Sequence, residues 1–156
     1  MNILIFASAA SSVAKRAITK FSTKCDNLYV LIPNRAWSDF SDLLDTEKAH
    51  CIRLSADSFD DVPETDLQTI KSIPFNTAVI VSGGLGFMRF YNVIEVLSQL
   101  YVTEKLVFYN SAGNENIYTM PQGIKRVVEK YYALFMMKIF LYMNKIGLFF
   151  ERIFVL

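Results

Sequence analysis

Short, uninterrupted apolar runs are the feature that most restricts what this chain can fold into. Residues 2–7, 27–32, 77–81 and 105–109 are each rich in Ile, Leu, Val, Phe or Tyr, too short for a helix and without the alternation of a half-exposed strand. Such runs read as strands covered on both faces, as in a parallel sheet. Residues 51–54 make a weaker strand of the same kind. Between the runs lie helical stretches: residues 13–22, with Ser11 or Ser12 as N-cap; a helix opened by Pro63-Glu64-Thr65-Asp66 and running toward Ile73; and residues 89–101. Proline and carboxylates suit the first turn of the middle one, where the helix dipole favours negative charge. Strand and helix alternating at this spacing predict a single Rossmann-like α/β domain over residues 1–120, with a mostly parallel sheet of about five strands.

The 156 residues suffice for one domain with a real core. Cys25 and Cys51 stand in no Cys/His metal spacing and read as reduced thiols of a cytosolic protein. His50 is the only histidine, which excludes a multi-His metal site. No metal and no cofactor is expected. The N-terminal segment has no basic stretch ahead of its apolar run, so it reads as a buried strand rather than a leader.

The character of the chain changes at Gly123. Residues 124–156 hold 23 apolar residues, with six Lys and Arg against two Glu, whereas residues 1–123 hold ten Lys and Arg against 13 Asp and Glu. A basic, apolar tail on an acidic body points to an anionic membrane surface. The tail reads as one long C-terminal amphipathic helix over 124–156. Lys138, Lys145 and Arg152 recur every seven residues on one stripe, with Arg126 and Lys130 nearby, while Met136, Ile139, Phe140, Met143, Phe150 and Phe154 fill the rest of the circumference. Membrane contact is accordingly assigned to Lys130, Lys138, Phe140, Lys145, Phe150 and Arg152. A true span over residues 131–150 is opposed by Lys138 and Lys145, since a central Lys costs roughly 2.5–3.5 kcal/mol on insertion scales. Packing over the sheet and a homodimer interface are the other readings of the same helix. Nucleic acid is not an expected partner, because the cations stand among long aliphatic side chains rather than in a polar groove.

In an open parallel sheet, ligands bind beyond the carboxyl ends of the strands. Ser82-Gly83-Gly84-Leu85-Gly86-Phe87 falls between a strand and a helix, where glycines let backbone N–H groups approach an anion. Arg89, just inside that helix, would meet a phosphate. The other reading of Gly83 and Gly84 is a tight turn alone. The stretch Tyr109-Asn110-Ser111-Ala112-Gly113-Asn114 offers amides and a hydroxyl to a sugar, or is an ordinary turn. Ser8, Ser11 and Ser12 follow the first strand, as ligand contacts or as helix caps. The glycine spacing is not the dinucleotide fingerprint, because its third glycine position is Arg89, and no Walker loop is present. NAD-type redox chemistry and P-loop hydrolysis are therefore disfavoured. Asp57 is better placed for acid–base work than His50, but no pair of carboxylates is forced together by spacing, and no catalytic residue is assigned.

Gly86-Phe87, Tyr91-Asn92-Val93, a helix, Tyr109-Asn110-Ser111-Ala112-Gly113 and then a basic apolar tail resemble a group of short bacterial proteins from surface-polysaccharide gene clusters. These are similar to the amino-terminal Rossmann-like half of GT-B glycosyltransferases, especially the lipopolysaccharide heptosyltransferase type. The resemblance implies a glycosyltransferase-like protein of lipopolysaccharide or capsular polysaccharide biosynthesis, cytoplasmic and peripheral to the inner membrane. It makes Gly84, Gly86, Asn92, Asn110 and Gly113 the family-like positions. A GT-B enzyme binds its donor mainly in the carboxyl-terminal half, for which this sequence has no counterpart. The resemblance therefore implies binding of a sugar or sugar-phosphate acceptor only, with the cleft completed by a partner glycosyltransferase or a homodimer. Together the two lines assign ligand binding to Ser8, Ser11, Gly83, Gly84, Gly86, Arg89, Asn92, Asn110, Ser111 and Gly113. A non-enzymatic membrane adaptor that recruits a glycosyltransferase or polymerase is the alternative.

Overall fold

The first run forms the centre of a six-stranded sheet. In the computed structural model β1 (Asn2–Phe6) pairs in parallel with β2 (Asn27–Ile32) on one side and β4 (Phe75–Ser82) on the other. β3 (Ala49–Arg53) extends the sheet beyond β2, and β5 (Val102–Asn110) then β6 (Glu115–Thr119) extend it beyond β4, giving the order β3-β2-β1-β4-β5-β6. The structure describes residues 1–43, 49–84, 93, 96, 97, 100, 102–119, 132, 135–139 and 142. The chain divides into two units, Met1–Met120 and Pro121–Leu156.

Alternation along each strand feeds two cores. Ile3 and Ile5 join Val30, Val79 and Val107 on one face, under α1 (Ser11–Ser22), which contributes Val13, Ala14, Ala17, Ile18 and Phe21. Leu4 and Phe6 join Leu31, Ile80, Leu106 and Phe108 on the other face, against Leu67 and Ile70 of α2 (Glu64–Lys71). Val93, Val96, Leu97 and Leu100 are buried in that second core, at the spacing that lines one side of a helix. Burial on both faces is why Ile3–Phe6 and Ala78–Val81 are unbroken apolar runs. After β2 the chain takes a 3-10 path over Asn34–Leu43, anchored by the buried ring of Phe40. α2 follows Pro63 with Glu64 and Asp66 in its first turn and Lys71 in its last, matching the helix dipole at both ends.

Three expectations are corrected. The sheet has six strands rather than about five, and it is mixed, because β6 runs antiparallel to β5. The sequence hid β6 because it is an edge strand with no buried side chain: Asn116, Ile117 and Thr119 are exposed, Ile117 at 58%. Neither Ser11 nor Ser12 is the N-cap of α1; that position is Ala10, with no side-chain cap. Finally, a long C-terminal helix over 124–156 is not supported. In the second unit residues 132, 135–139 and 142 are the described helical positions, and all of them are exposed. Helices gain most of their stability by burying an apolar face, and these described residues bury none. Among the described residues no helix is long and apolar enough to cross a membrane.

Phe6 is fully buried and meets Phe59 edge-on at 5.6 Å. Phe6→Ala is expected to cost about 3–5 kcal/mol, read as a lowered urea midpoint of the cooperative transition.

Candidate functional site

The strand order reverses between β1 and β4, the switch point at which open α/β sheets form a ligand crevice beyond the carboxyl ends of the strands. Ser8, just past β1, donates its hydroxyl to the Val81 carbonyl at 2.7 Å and so ties the loop after β1 to the end of β4. The loop after β4 folds on Ser82, whose Oγ donates to the Gly84 carbonyl at 2.5 Å and accepts the Gly84 N–H at 3.3 Å. Ser8, Ser11, Gly83 and Gly84 are thereby gathered at one edge, as the sequence predicts.

Their roles differ from the expected ones. The Gly84 N–H is turned onto Ser82 and is not presented outward as an anion contact. Neither Gly83 nor Gly84 has a positive φ. A Cβ on Gly83 would come no nearer than 3.9 Å to Ala9, and one on Gly84 would meet no described atom within 4 Å. A tight turn therefore does not demand these glycines: Gly83 stands at ordinary contact distance from Ala9, and Gly84 is open toward the described residues. The anion-favouring element is the start of α1. Its first intrahelical bonds are donated by Val13 and Ala14 to the Ala10 carbonyl, no side chain caps it, and its first turn holds no acidic residue.

The second predicted segment is a structural turn. Asn110 bonds Asn114 twice, N–H to carbonyl at 3.1 Å and Oδ1 from N–H at 2.9 Å, and the Gly113 N–H reaches the Asn110 carbonyl at 2.9 Å. Gly113, at φ 85°, reverses the chain into β6. The middle of α1 holds this turn: Arg16 donates to the Ser111 carbonyl at 2.7 Å and Lys20 to the Gly113 carbonyl at 3.3 Å. Ser82 pairs with Asn110 across the ladder, so the turn lies next to the crevice, but its backbone groups are committed to the fold. Gly86, Arg89 and Asn92 lie outside the described residues, as do Lys130, Phe140, Lys145, Phe150 and Arg152. Lys138 is described and exposed.

Further along the same carboxyl edge, beyond β2 and β3, is a cavity of 390 Å³ lined by Asn34, Arg53, Leu54, Ser55 and Asp66. Sequence reasoning missed these residues. Pro33-Asn34 reads as a turn and Asp66 as a helix-dipole carboxylate, and only the register that brings β2 and β3 side by side puts them together. Asp57 accepts from Asn34 Nδ2 at 3.0 Å. His50 is exposed within β3 and stacks on Tyr29 at 5.0 Å. Among the described residues no group of three His, Cys, Asp or Glu is placed to hold a metal ion. The sequence matches no protein-family model, and a search of curated proteins found no match.

Lys20 also bonds Glu115 at 2.7 Å, with Lys24 3.5 Å away. The Lys20 hydrogen bond holds the Glu115 carboxyl below the ordinary carboxylate value of 4.5, and the same bond raises Lys20 above 10.5. A lowered carboxylate stabilises the fold fully above its unfolded value and loses that contribution as pH falls through the folded one. Glu115→Gln is thus expected to destabilise at neutral pH and to match the parent once the pH is below Glu115's lowered value, measured by thermal unfolding across pH.

Proposed function

We propose that the chain is a carbohydrate-handling protein of surface-polysaccharide assembly that binds a sugar or sugar-phosphate acceptor at the crevice between β1 and β4. One observation carries the reading: the start of α1 has no side-chain cap and no acidic residue in its first turn, beside a loop where no described atom lies within 4 Å of a Cβ placed on Gly84. A helix N-terminus of this kind favours a phosphate or other anion. Gly84 adds no side chain to such a ligand's approach, and no described atom lies within 4 Å of where its Cβ would stand. Ser8 and Ser82 are the hydroxyls nearest to it, and both are already hydrogen-bonded, so they shape the rim and donate nothing free. The chemistry of this edge is positioning. No acid–base pair is gathered there among the described residues, and transfer would be completed by a partner glycosyltransferase or a second copy.

The tail supports a peripheral membrane reading. Tyr132, Phe135, Met136, Met137, Ile139 and Tyr142 are all exposed, with Lys138 among them. Large apolar side chains beside a lysine suit the boundary between headgroups and acyl chains, where both kinds of group are satisfied. An adaptor that uses the same surface and binds no sugar is the competing reading.

Two measurements test these readings on the full chain. A Cβ on Gly84 meets no described atom within 4 Å, so Gly84→Trp is expected to keep the melting temperature of the unliganded protein and abolish stabilisation by a sugar phosphate in thermal-shift assays. A parent protein that ignores a panel of sugars, sugar phosphates and nucleotide sugars would move the reading to the adaptor. Phe135→Ser with Lys138→Glu is expected to reduce co-sedimentation with anionic vesicles severalfold, and rising salt should weaken the parent's binding. Equal binding by parent and variant would remove the tail from membrane contact.

A further inference from the structure

The cavity beyond β2 and β3 uses none of the residues of the crevice, and its chemistry is different. We propose that it is a binding subsite for an uncharged, hydroxyl-rich sugar ring. It is a shallow depression, open to solvent, whose 390 Å³ is room for a ring laid against its polar wall rather than enclosed by it. Leu54 is fully buried beneath the site and fixes its floor, so the groups a ligand can reach are the polar ones around it. The polar wall is held in place before any ligand arrives. Arg53 places both Nε and Nη2 on Asn34 Oδ1, at 2.9 and 2.5 Å, and its guanidinium lies 5.7 Å from the Trp37 ring. Asn34 is fixed in turn by its Nδ2 bond to Asp57 at 3.0 Å and by its N–H bond to the Ala56 carbonyl at 2.8 Å.

Asp66 forms the other side. Its Oδ2 accepts both the N–H and the hydroxyl of Ser55, at 2.7 and 2.9 Å. Each partner keeps an unspent group: among the described residues, Asp66 Oδ1 accepts no hydrogen bond and Arg53 Nη1 donates none. A carboxylate oxygen only accepts and a guanidinium only donates. Neighbouring hydroxyls on a sugar do both, so one pair satisfies the two walls together. Groups held rigid in this way lose little freedom on binding, which favours affinity from few contacts.

Charge decides against an anionic ligand. Among the described residues Arg53 is the one cation lining the cavity; Asp66 balances it, and Asp57 stands behind Asn34. A phosphate or uronate would meet no positive excess here, in contrast to the uncapped start of α1. The subsite stands independently of the reading of the crevice.

Ligand-observed NMR titration of the full chain tests it, with the methyl glycosides of glucose, galactose and mannose as neutral probes, and glucuronate and inorganic phosphate as acidic ones. At least one glycoside is expected to bind saturably. Arg53→Met and Asp66→Ala should each weaken it roughly tenfold or more, as loss of a charge-assisted hydrogen bond does. Gly84→Trp should leave it unchanged. Arg53 is exposed, so Arg53→Met decides the question if Asp66→Ala fails to fold. The proposal is overturned if no glycoside saturates, if Arg53→Met binds like the parent, or if the acidic probes bind more tightly than every neutral one. Loss of crevice binding in Gly84→Trp with glycoside binding intact separates the two sites.

Discussion

Everything in the first unit depends on the complete burial of β1. Ile3, Leu4, Ile5 and Phe6 are at most 2% exposed, and the strand is paired along its length on both sides. A strand in that position needs two covered faces, and alternation sends its side chains into both. α1 supplies one cover, while α2 and the segment containing Val93 and Leu97 supply the other. The switch point between β1 and β4 is therefore a product of burying β1, because one strand covered on both faces needs chain on either side of the sheet.

α1 links this switch point to the rest of the carboxyl edge. Its apolar side is spent on the sheet, its middle carries Arg16 and Lys20 to the turn between β5 and β6, and its start faces the crevice without a cap. Lys20 meets three groups at once: the Gly113 carbonyl, the Glu115 carboxylate and, at 5.3 Å, the ring of Tyr109. Most of the helix's polar capacity thus holds a neighbouring loop in place. The backbone groups it leaves without a side-chain cap are at its first turn.

Legibility in the sequence followed burial. β2 matches its predicted bounds, Asn27–Ile32, because Leu28, Val30, Leu31 and Ile32 are all fully buried and a doubly covered strand leaves an unbroken apolar run. β6 left no such trace, since only part of its surface is covered. The tail misled in the opposite direction: abundant apolar residues look like a helix stripe, but composition does not say what, if anything, the stripe is buried against. The placement of Ser8, Gly83 and Gly84 at the carboxyl edge was legible because the runs they follow are neighbouring parallel strands. The Asn110–Gly113 turn could not be told from a binding loop, for the same amides that would hold a sugar also close a hairpin. Arg53 and Asp66 could not be paired at all, since their proximity exists only after β3 has found β2.

The pairing of β1 with β4 also sets an order of events during folding. Ile3 lies beside Thr77, so the most buried strand cannot gain its second neighbour until most of the first unit has been synthesised. Closing a loop of that length costs entropy before the contact returns any stability, and sheets built from such distant partners form slowly. The β5–β6 hairpin is the reverse case, with Tyr109 beside Glu115 across a tight turn, and can zip up as soon as it exists. Until β4 arrives, the apolar edge of β1 is an unpaired template, and that interval is when the chain is most exposed to pairing with the wrong strand.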